Sequence, residues 1–538
     1  MTTAVVSSAP TLAIHRVFNP WIIAAVVVIP TFMEVLDTTI ANVALRYIAG
    51  GLSAAVTDSE WVITSYLAAN ATVLPISGWL SNRLGRRNYF LGSIAVFTIA
   101  SGFCGMATSL EQLICFRIIQ GLAGGGLQPS SQAVLLDSFP TEKQGSAMTL
   151  FGMAALIAPI IGPTLGGYLT VNYDWRWIFL INLPIGLAGF LAAAVVLRDP
   201  EYLKVQRKAL LKEGLRLDVI GLGLLVLAIS SWEVILSKGQ EWDWFGDPFW
   251  RVQTLVGCFV IGMGLLIWRQ LRISRPLINL KPLADPNFAV CCVICFCAYA
   301  VLYGASTTLP GMLQALYGYD ALASGLVLSP SGVFAIITIL ITGAIFARGV
   351  DSRWFIAGGL LLMAAGCYWM STMTLDISPW QVVWPRVVMI MGLSMMFAPL
   401  NVAAYHYIPR ELRASAVGLF ALLRNEGGSV GTSIAQTMEI RREQFHTTRM
   451  GEFLDPLNPA VTDFLRQTSI YFQSFTADSA EAQAMALQAL SNQRQIQAAS
   501  LAYFDDFYLF AVLAISLLLL LLFMRKSAPE KGAHTAAE

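Results

Sequence analysis

Apolar residues in this chain come in long blocks of about twenty, set apart by short stretches of charge, Gly, Pro and Asn. At 1.5 Å rise per residue, a helix of about twenty residues covers about 30 Å, the thickness of the hydrocarbon core of a bilayer. Fourteen such blocks can be read, at 21–45, 61–80, 89–107, 110–136, 146–169, 175–197, 217–236, 250–268, 288–316, 323–347, 354–373, 380–405, 414–438 and 507–524. They lack the alternation of membrane β-strands, so each predicts a spanning α-helix. The first block carries Glu34 and Asp37 and has no small-residue cleavage site, so it is expected to stay as the first span.

Composition supports this reading. Of 538 residues, 56% are hydrophobic and 12% are Asp, Glu, Lys or Arg, against about 25% charged in a soluble domain. Two or three soluble domains of this length would lack polar shells, so the expected solvent is the lipid bilayer. The balance of 34 basic and 33 acidic residues leaves no excess for phosphates, which argues against nucleic acid as a partner.

Numbering the loops alternately puts 22 of the Lys and Arg residues on the side of the N-terminus and 9 on the other, with Arg117, Arg386 and Arg424 inside spans. That asymmetry predicts both termini in the cytoplasm. The chain then divides into an N-terminal segment 1–20, a six-helix half 21–197, basic loops with two inserted helices 198–286, a second six-helix half 287–525 and a tail 526–538. The loop 198–216 is basic through Lys204, Arg207, Lys208, Lys212 and Arg216. The segment 439–506 is expected outside the membrane, with a helix over its Ala/Gln-rich part, 479–502.

The two halves are read from an internal repeat. Gly78 and Arg83 after span two match Gly343 and Arg348 after span ten at one common offset, and Arg117 in span four matches Arg386 in span twelve. Paired halves around a midplane site are a transporter architecture.

Several patterns carry no chemistry. All eight cysteines fall in predicted spans, so no disulfide framework is expected. Cys291, Cys292, Cys295 and Cys297 lack nearby His or acidic partners, so no metal is expected. Gly427-Gly428-Ser429-Val430-Gly431 spells a nucleophile elbow but sits in a membrane helix. Gly124-Gly125-Gly126 is no phosphate loop, and no Walker motif appears. No cofactor is expected, and a proton gradient is the expected source of energy.

Four stretches resemble the major facilitator superfamily, specifically its fourteen-span drug/proton antiporters of the EmrB/QacA type, EmrB members above all. They are Leu36 to Leu45 in span one, Gly78 to Arg87, Arg117 to Gly121, and Ala158 to Gly167 with Pro159, Gly162, Pro163, Gly166 and Gly167. Asp243-Trp244-Phe245, Tyr317-Gly318-Tyr319 and Gly428 to Ser433 extend the likeness over essentially the whole chain. Asn82 stands where the superfamily commonly has Asp. The resemblance implies an all-α polytopic membrane protein with the major facilitator fold, two six-helix halves plus two inserted helices. It implies proton-driven export of hydrophobic or cationic small-molecule drugs across the inner membrane, with a periplasmic adaptor and an outer-membrane channel. A dedicated exporter of one metabolite, such as a siderophore, would use the same fold.

Charges inside spans are costly and mark ion or proton paths. Asp37 is the expected proton carrier, also by resemblance, and Glu34, three residues earlier, shares its helical face. Arg117 is expected to bias their deprotonation. Gln120, Asn42, Glu426 and Arg424 are expected at the substrate cavity, although Arg424 and Glu426 can also be read as a structural pair. Gly78, Arg83, Gly85, Arg86 and Arg87 form the gate motif and are expected to face Asp137; the three arginines can equally be membrane-side anchors. Gly162 and Gly166 let another helix approach, while Pro159 and Pro163 bend span five. Trp61, Tyr299, Tyr303, Met395, Met396 and Phe397 are candidates for an adaptable apolar wall.

Overall fold

A computed structural model describes residues 19–139, 143–199, 218–273, 276–346, 348–376, 378–409, 412–455, 457–476 and 478–527. The basic residues Lys204, Arg207, Lys208, Lys212 and Arg216, and the N-terminal and tail segments apart from residues 19–20 and 526–527, lie outside them. The described chain is helical throughout, without strands.

Eleven helices among the described residues are long and apolar enough to cross a membrane. Three further spans are composite or carry more charge. Span two joins Trp61–Val73 to Ser77–Leu84 through a 3-10 turn, Leu74–Ile76, that contains Pro75. Span four is Leu110–Gly124 followed by Leu127–Ser138. Span thirteen is the helix Arg413–Gly451. Together these are consistent with the fourteen spans read from the apolar blocks.

Caps explain where many helices start. Asn19, Ser109, Asp218, Asp285, Asp320 and Asp351 each accept a backbone N–H of the first turn, which satisfies one of the donors that a helix start leaves unpaired. Gly318 (φ 67°) closes span nine, Pro286–Tyr317, in the left-handed region.

Span five, Gln144–Asn172, runs as one helix through Pro159 and Pro163. A Cβ at Gly162 would strike Thr39, and one at Gly166 would press on Ile40, so this small-residue face seats span five on span one beside Asp37. The glycines of span four act the same way: a Cβ at Gly121 or Gly125 would meet the carbonyls of Tyr66 and Asn70 in span two. In the second half, Gly427 and Gly431 lie against the carbonyls of Phe296 and Ala300, so the elbow-like spelling is a packing face.

The halves meet where span five packs on spans ten and twelve: Thr164 and Ser329 hydroxyls stand 3.1 Å apart, and Phe151 stacks on Phe397 of span twelve at 6.5 Å. Gly418 of span thirteen also approaches the Leu74 carbonyl of span two. Of the inserted helices, span seven (Val219–Lys238) packs on spans two and thirteen, whereas span eight (Arg251–Arg272) buries few residues and lies outside it. Exposed Val195, Val260, Ile261 and Leu340 form part of the apolar belt that faces lipid.

The segment 439–506 differs most from expectation. Span thirteen continues as one helix of 39 residues to Gly451, about 58 Å long at 1.5 Å per residue. A short helix, Pro459–Phe472, follows, and then a 38-residue helix, Ser479–Ser516, runs straight into span fourteen. The segment is a helical hairpin rising from the bundle, because its Ala, Gln, Glu and Arg content favours helix well past the apolar block. The helix read at 479–502 is the start of that longer one.

Candidate functional site

Span one places Glu34 and Asp37 in the middle of the N-terminal half, 4% and 2% exposed. Asp37 is saturated. Its Oδ2 accepts from Arg117 Nη1 at 2.6 Å, and its Oδ1 accepts from Gln120 Nε2 at 3.0 Å and Asn182 Nδ2 at 2.7 Å. Arg117, fully buried, also donates to the Val62 carbonyl at 3.1 Å and to Gln120 Oε1 at 2.9 Å, with its guanidinium 4.1 Å from the Tyr66 ring centre. A charge pair this deep needs such a shell, because each unsatisfied donor or acceptor costs several kcal/mol in hydrocarbon.

Glu34 sits one turn before Asp37 in a different shell. It accepts from Asn70 Nδ2 at 3.0 Å, Tyr66 Oη at 3.4 Å and Gln128 Nε2 at 2.6 Å. Gln128 Oε1 in turn accepts from Arg424 of span thirteen. Glu34, Gln128 and Arg424 therefore form a polar chain from the N-terminal half to the C-terminal half, and Tyr66 touches both this chain and Arg117.

Beside the network a cavity of about 140 Å³ lies between the halves, lined by Thr38, Asn42, Glu60, Glu233, Tyr303 and Ser429, among others. It lies toward the end of the bundle that carries Glu60 and Lys238. A much smaller cavity on the other side of Arg424 is lined by Tyr299, Met396, Phe397 and Asn401.

Asn42 and Tyr303 thus line the main cavity, and Tyr299, Met396 and Phe397 the minor one; Trp61 and Met395 line neither. Gln120 lines neither of these two cavities: it is fully buried and bonded to both Asp37 and Arg117. Arg424 and Glu426 do not pair with each other, because residues two apart point to opposite sides of a helix; Arg424 goes to Gln128, and Glu426 turns to span seven. In the gate motif, Arg86 pairs with Asp137 and donates to the Ala133 carbonyl at 3.3 Å. Arg87 caps span six through the Ala194 and Leu197 carbonyls, both at 2.8 Å, and its backbone N–H meets Asp199 at 2.9 Å. Arg83 lies over the Trp79 ring, and Gly85 (φ 89°) makes the turn between spans two and three.

Four functional candidates were not anticipated. Glu233 and Asp506 are fully buried carboxylic acids, and Gln128 and Asn182 are the neutral amides that complete the two shells. Asp506 accepts from Thr308 Oγ1 at 2.6 Å and so belongs to the bundle, not to an outer loop.

Two six-helix halves, a cavity at their junction and buried charges that bridge them define a membrane transporter. The chain belongs to the major facilitator superfamily, whose family model matches residues 27–432. It is 38% identical to the multidrug export protein EmrB of Escherichia coli over 430 residues, covering 80% of this chain and 82% of that one. Identity to the EmrB of Haemophilus influenzae is 37%, covering 84% and 86%. In three dimensions it resembles the proton:xylose symporter XylE, with a TM-score of 0.59 and 12% identity over 95% of this chain and 97% of the other. That last likeness shows the fold alone.

Proposed function

We propose that this protein is a proton-driven exporter of hydrophobic and cationic compounds, embedded in the inner membrane with both termini in the cytoplasm. The observation that carries this reading is the pair of buried acids on one face of span one, one held by Arg117 and the other wired through Gln128 to Arg424 of the opposite half. Similarity to multidrug export proteins agrees with it.

Protonation of Asp37 removes the counter-charge of Arg117, and protonation of Glu34 weakens the chain to Arg424. Each event changes the relative free energy of arrangements in which the halves are joined or apart, which is what a ligand must do to shift a two-state equilibrium. A cationic compound entering the cavity beside Thr38 and Asn42 favours the deprotonated acids, so drug and proton exchange. One charge crossing 100 mV supplies about 2.3 kcal/mol, enough for a concentration gradient of about fifty-fold. No cofactor takes part.

The extracytoplasmic hairpin is the contact for an adaptor protein that continues the path to an outer-membrane channel. Its tip exposes Phe453, Leu457, Ile470, Tyr471 and Phe475, an apolar group on a surface that projects beyond the bilayer.

The test is a panel of toxic compounds applied to cells with and without the protein, coupled to efflux from proteoliposomes with and without an imposed pH gradient. Resistance to several unrelated compounds together with gradient-dependent efflux is expected. Gradient-independent efflux, or flux of one metabolite only, overturns the reading.

A further inference from the structure

Span seven is an insertion between the halves, and bulk facing lipid is all that insertion alone requires of it. Yet it carries Glu233, fully buried, whose Oε1 accepts from Ser429 Oγ of span thirteen at 3.1 Å. Glu426 lies one turn before Ser429, is 6% exposed, and its carboxyl group interacts directly with that of Glu233. The Trp232 indole N–H of span seven lies near Glu426, but neither Glu426 oxygen meets a donor at ordinary hydrogen-bond geometry, and Glu233 Oε2 likewise has none. The nearby cations are engaged elsewhere. Arg424 donates to Gln128, and Lys238 bridges Glu60 at 2.7 Å and Glu241 at 2.6 Å at the outer end of the cavity. Of the other neighbours, Tyr303 of span nine lines the same cavity, and Phe259 of span eight stacks on Trp232 at 4.7 Å.

Two buried carboxylates in contact, with no cation paired to them among the described residues, cannot both be ionised. A shared proton satisfies the pair in the absence of other ligands. Glu233 also lines the cavity of about 140 Å³, room for a few waters at about 30 Å³ each or for one small ammonium group. We propose that Glu233 and Glu426 form a second proton-exchange site, in which a cationic group of the transported compound displaces a proton shared by the two carboxyls. The proton leaves to cavity water as the cation enters, so the charge of the site is unchanged; reprotonation from the other side expels the cation. Span seven is then a wall of the transport path. This inference rests on the proton-coupled reading given above.

Purified full-length protein in weakly buffered detergent solution, titrated with benzyltrimethylammonium, whose charge sits on a small ammonium head, gives the protons released per bound cation from a pH indicator. Glu233→Gln and Glu426→Gln are each expected to lower that number by about half, and the double variant to lower it no further, since one proton belongs to the pair. Wild-type release from both single variants overturns the inference. Should either variant fail to fold, the native protein is treated with a hydrophobic carbodiimide, which reacts with protonated carboxyls, and mapped by mass spectrometry. Modification of Glu233 or Glu426 that benzyltrimethylammonium prevents is expected; absence of modification, or modification indifferent to the cation, overturns the proposal. If the wild type releases no protons, the proton-coupled reading itself fails. If the wild type releases protons, Asp37→Asn diminishes them and Glu233→Gln does not, only the second site fails.

Discussion

Replacing Asp37 by Asn keeps the outline of the side chain and deletes its charge, so it separates charge from packing. In the native protein three donors converge on this carboxylate, at 2.6, 3.0 and 2.7 Å, and its partner Arg117 is completely buried. The amide turns one acceptor into a donor, and Arg117 loses its counter-charge. Removing one member of a buried ion pair costs about 3–5 kcal/mol, against about 0–1 kcal/mol for an exposed pair. The Tyr66 ring at 4.1 Å continues to stabilise the guanidinium, a contact worth up to about 2 kcal/mol when dry, so the low end of the buried range applies. The measurement is denaturant unfolding in detergent together with cation-induced proton release. A variant that is folded, less stable by about 3 kcal/mol and deficient in proton release is expected. Arg117→Gln in the same chain should recover part of the stability, because it removes the orphaned cation, without restoring release. Native stability and native release in Asp37→Asn would refute the reasoning.

Gly162→Val drives a side chain into Thr39 and should separate spans five and one, at a cost of about 1–3 kcal/mol; efflux in vesicles should fall while the protein still inserts. Joining the halves with Thr164→Cys and Ser329→Cys, whose native hydroxyls are 3.1 Å apart, should arrest transport on oxidation and release it on reduction. Asp247, in the loop between spans seven and eight, is held down to about 2 by Arg251. A depressed carboxyl stabilises the loop above its ordinary value and loses that contribution as the pH falls toward about 2, so Arg251→Gln should raise the pH at which the loop's tryptophan emission changes.

Most of the frame was legible in the chain because lipid imposes it. A span must be apolar and about twenty residues long, and the fourteen blocks recur as helices or pairs of helices. Asp37, Glu34 and Arg117 were equally legible, since charge is rare in such blocks. Glu233 obeyed the same rule, as the one acid inside the apolar block 217–236 beyond its capping Asp218, yet span seven falls outside the twofold repeat, and attention to the repeat passes over it. Asp506 was hidden differently: it stands one residue before the last apolar block, and only the continuous helix Ser479–Ser516 shows that it points into the bundle. Gln128 and Asn182 leave no trace in hydropathy. Their importance comes from distance in space, across 94 and 145 residues of chain, which periodicity within one helix cannot report.

The repeat also shows where the chemistry is concentrated. In the first half, Arg117 of span four meets a carboxylate from span one, which in turn accepts from an amide of span six. In the second half, Arg386 of span twelve meets Ser306 of span nine at 2.7 Å, and the nearest equivalent acid comes from span fourteen as Asp506, bonded to Thr308. Among the described residues no carboxylate pairs with Arg386. The two halves thus share a frame in which the same positions hold a charged pair once and a hydroxyl-bonded cation once. On the proposed mechanism, a proton taken up at Asp37 would change the charge balance of the first half alone, and the polar chain from Glu34 through Gln128 to Arg424 would be the route by which the second half responds. If Glu233 and Glu426 exchange a proton as proposed, they do so across the same cavity from that chain. Both proton sites then border the seam that must open, and a broken symmetry of charge, within a preserved symmetry of helices, gives the rocking motion its direction.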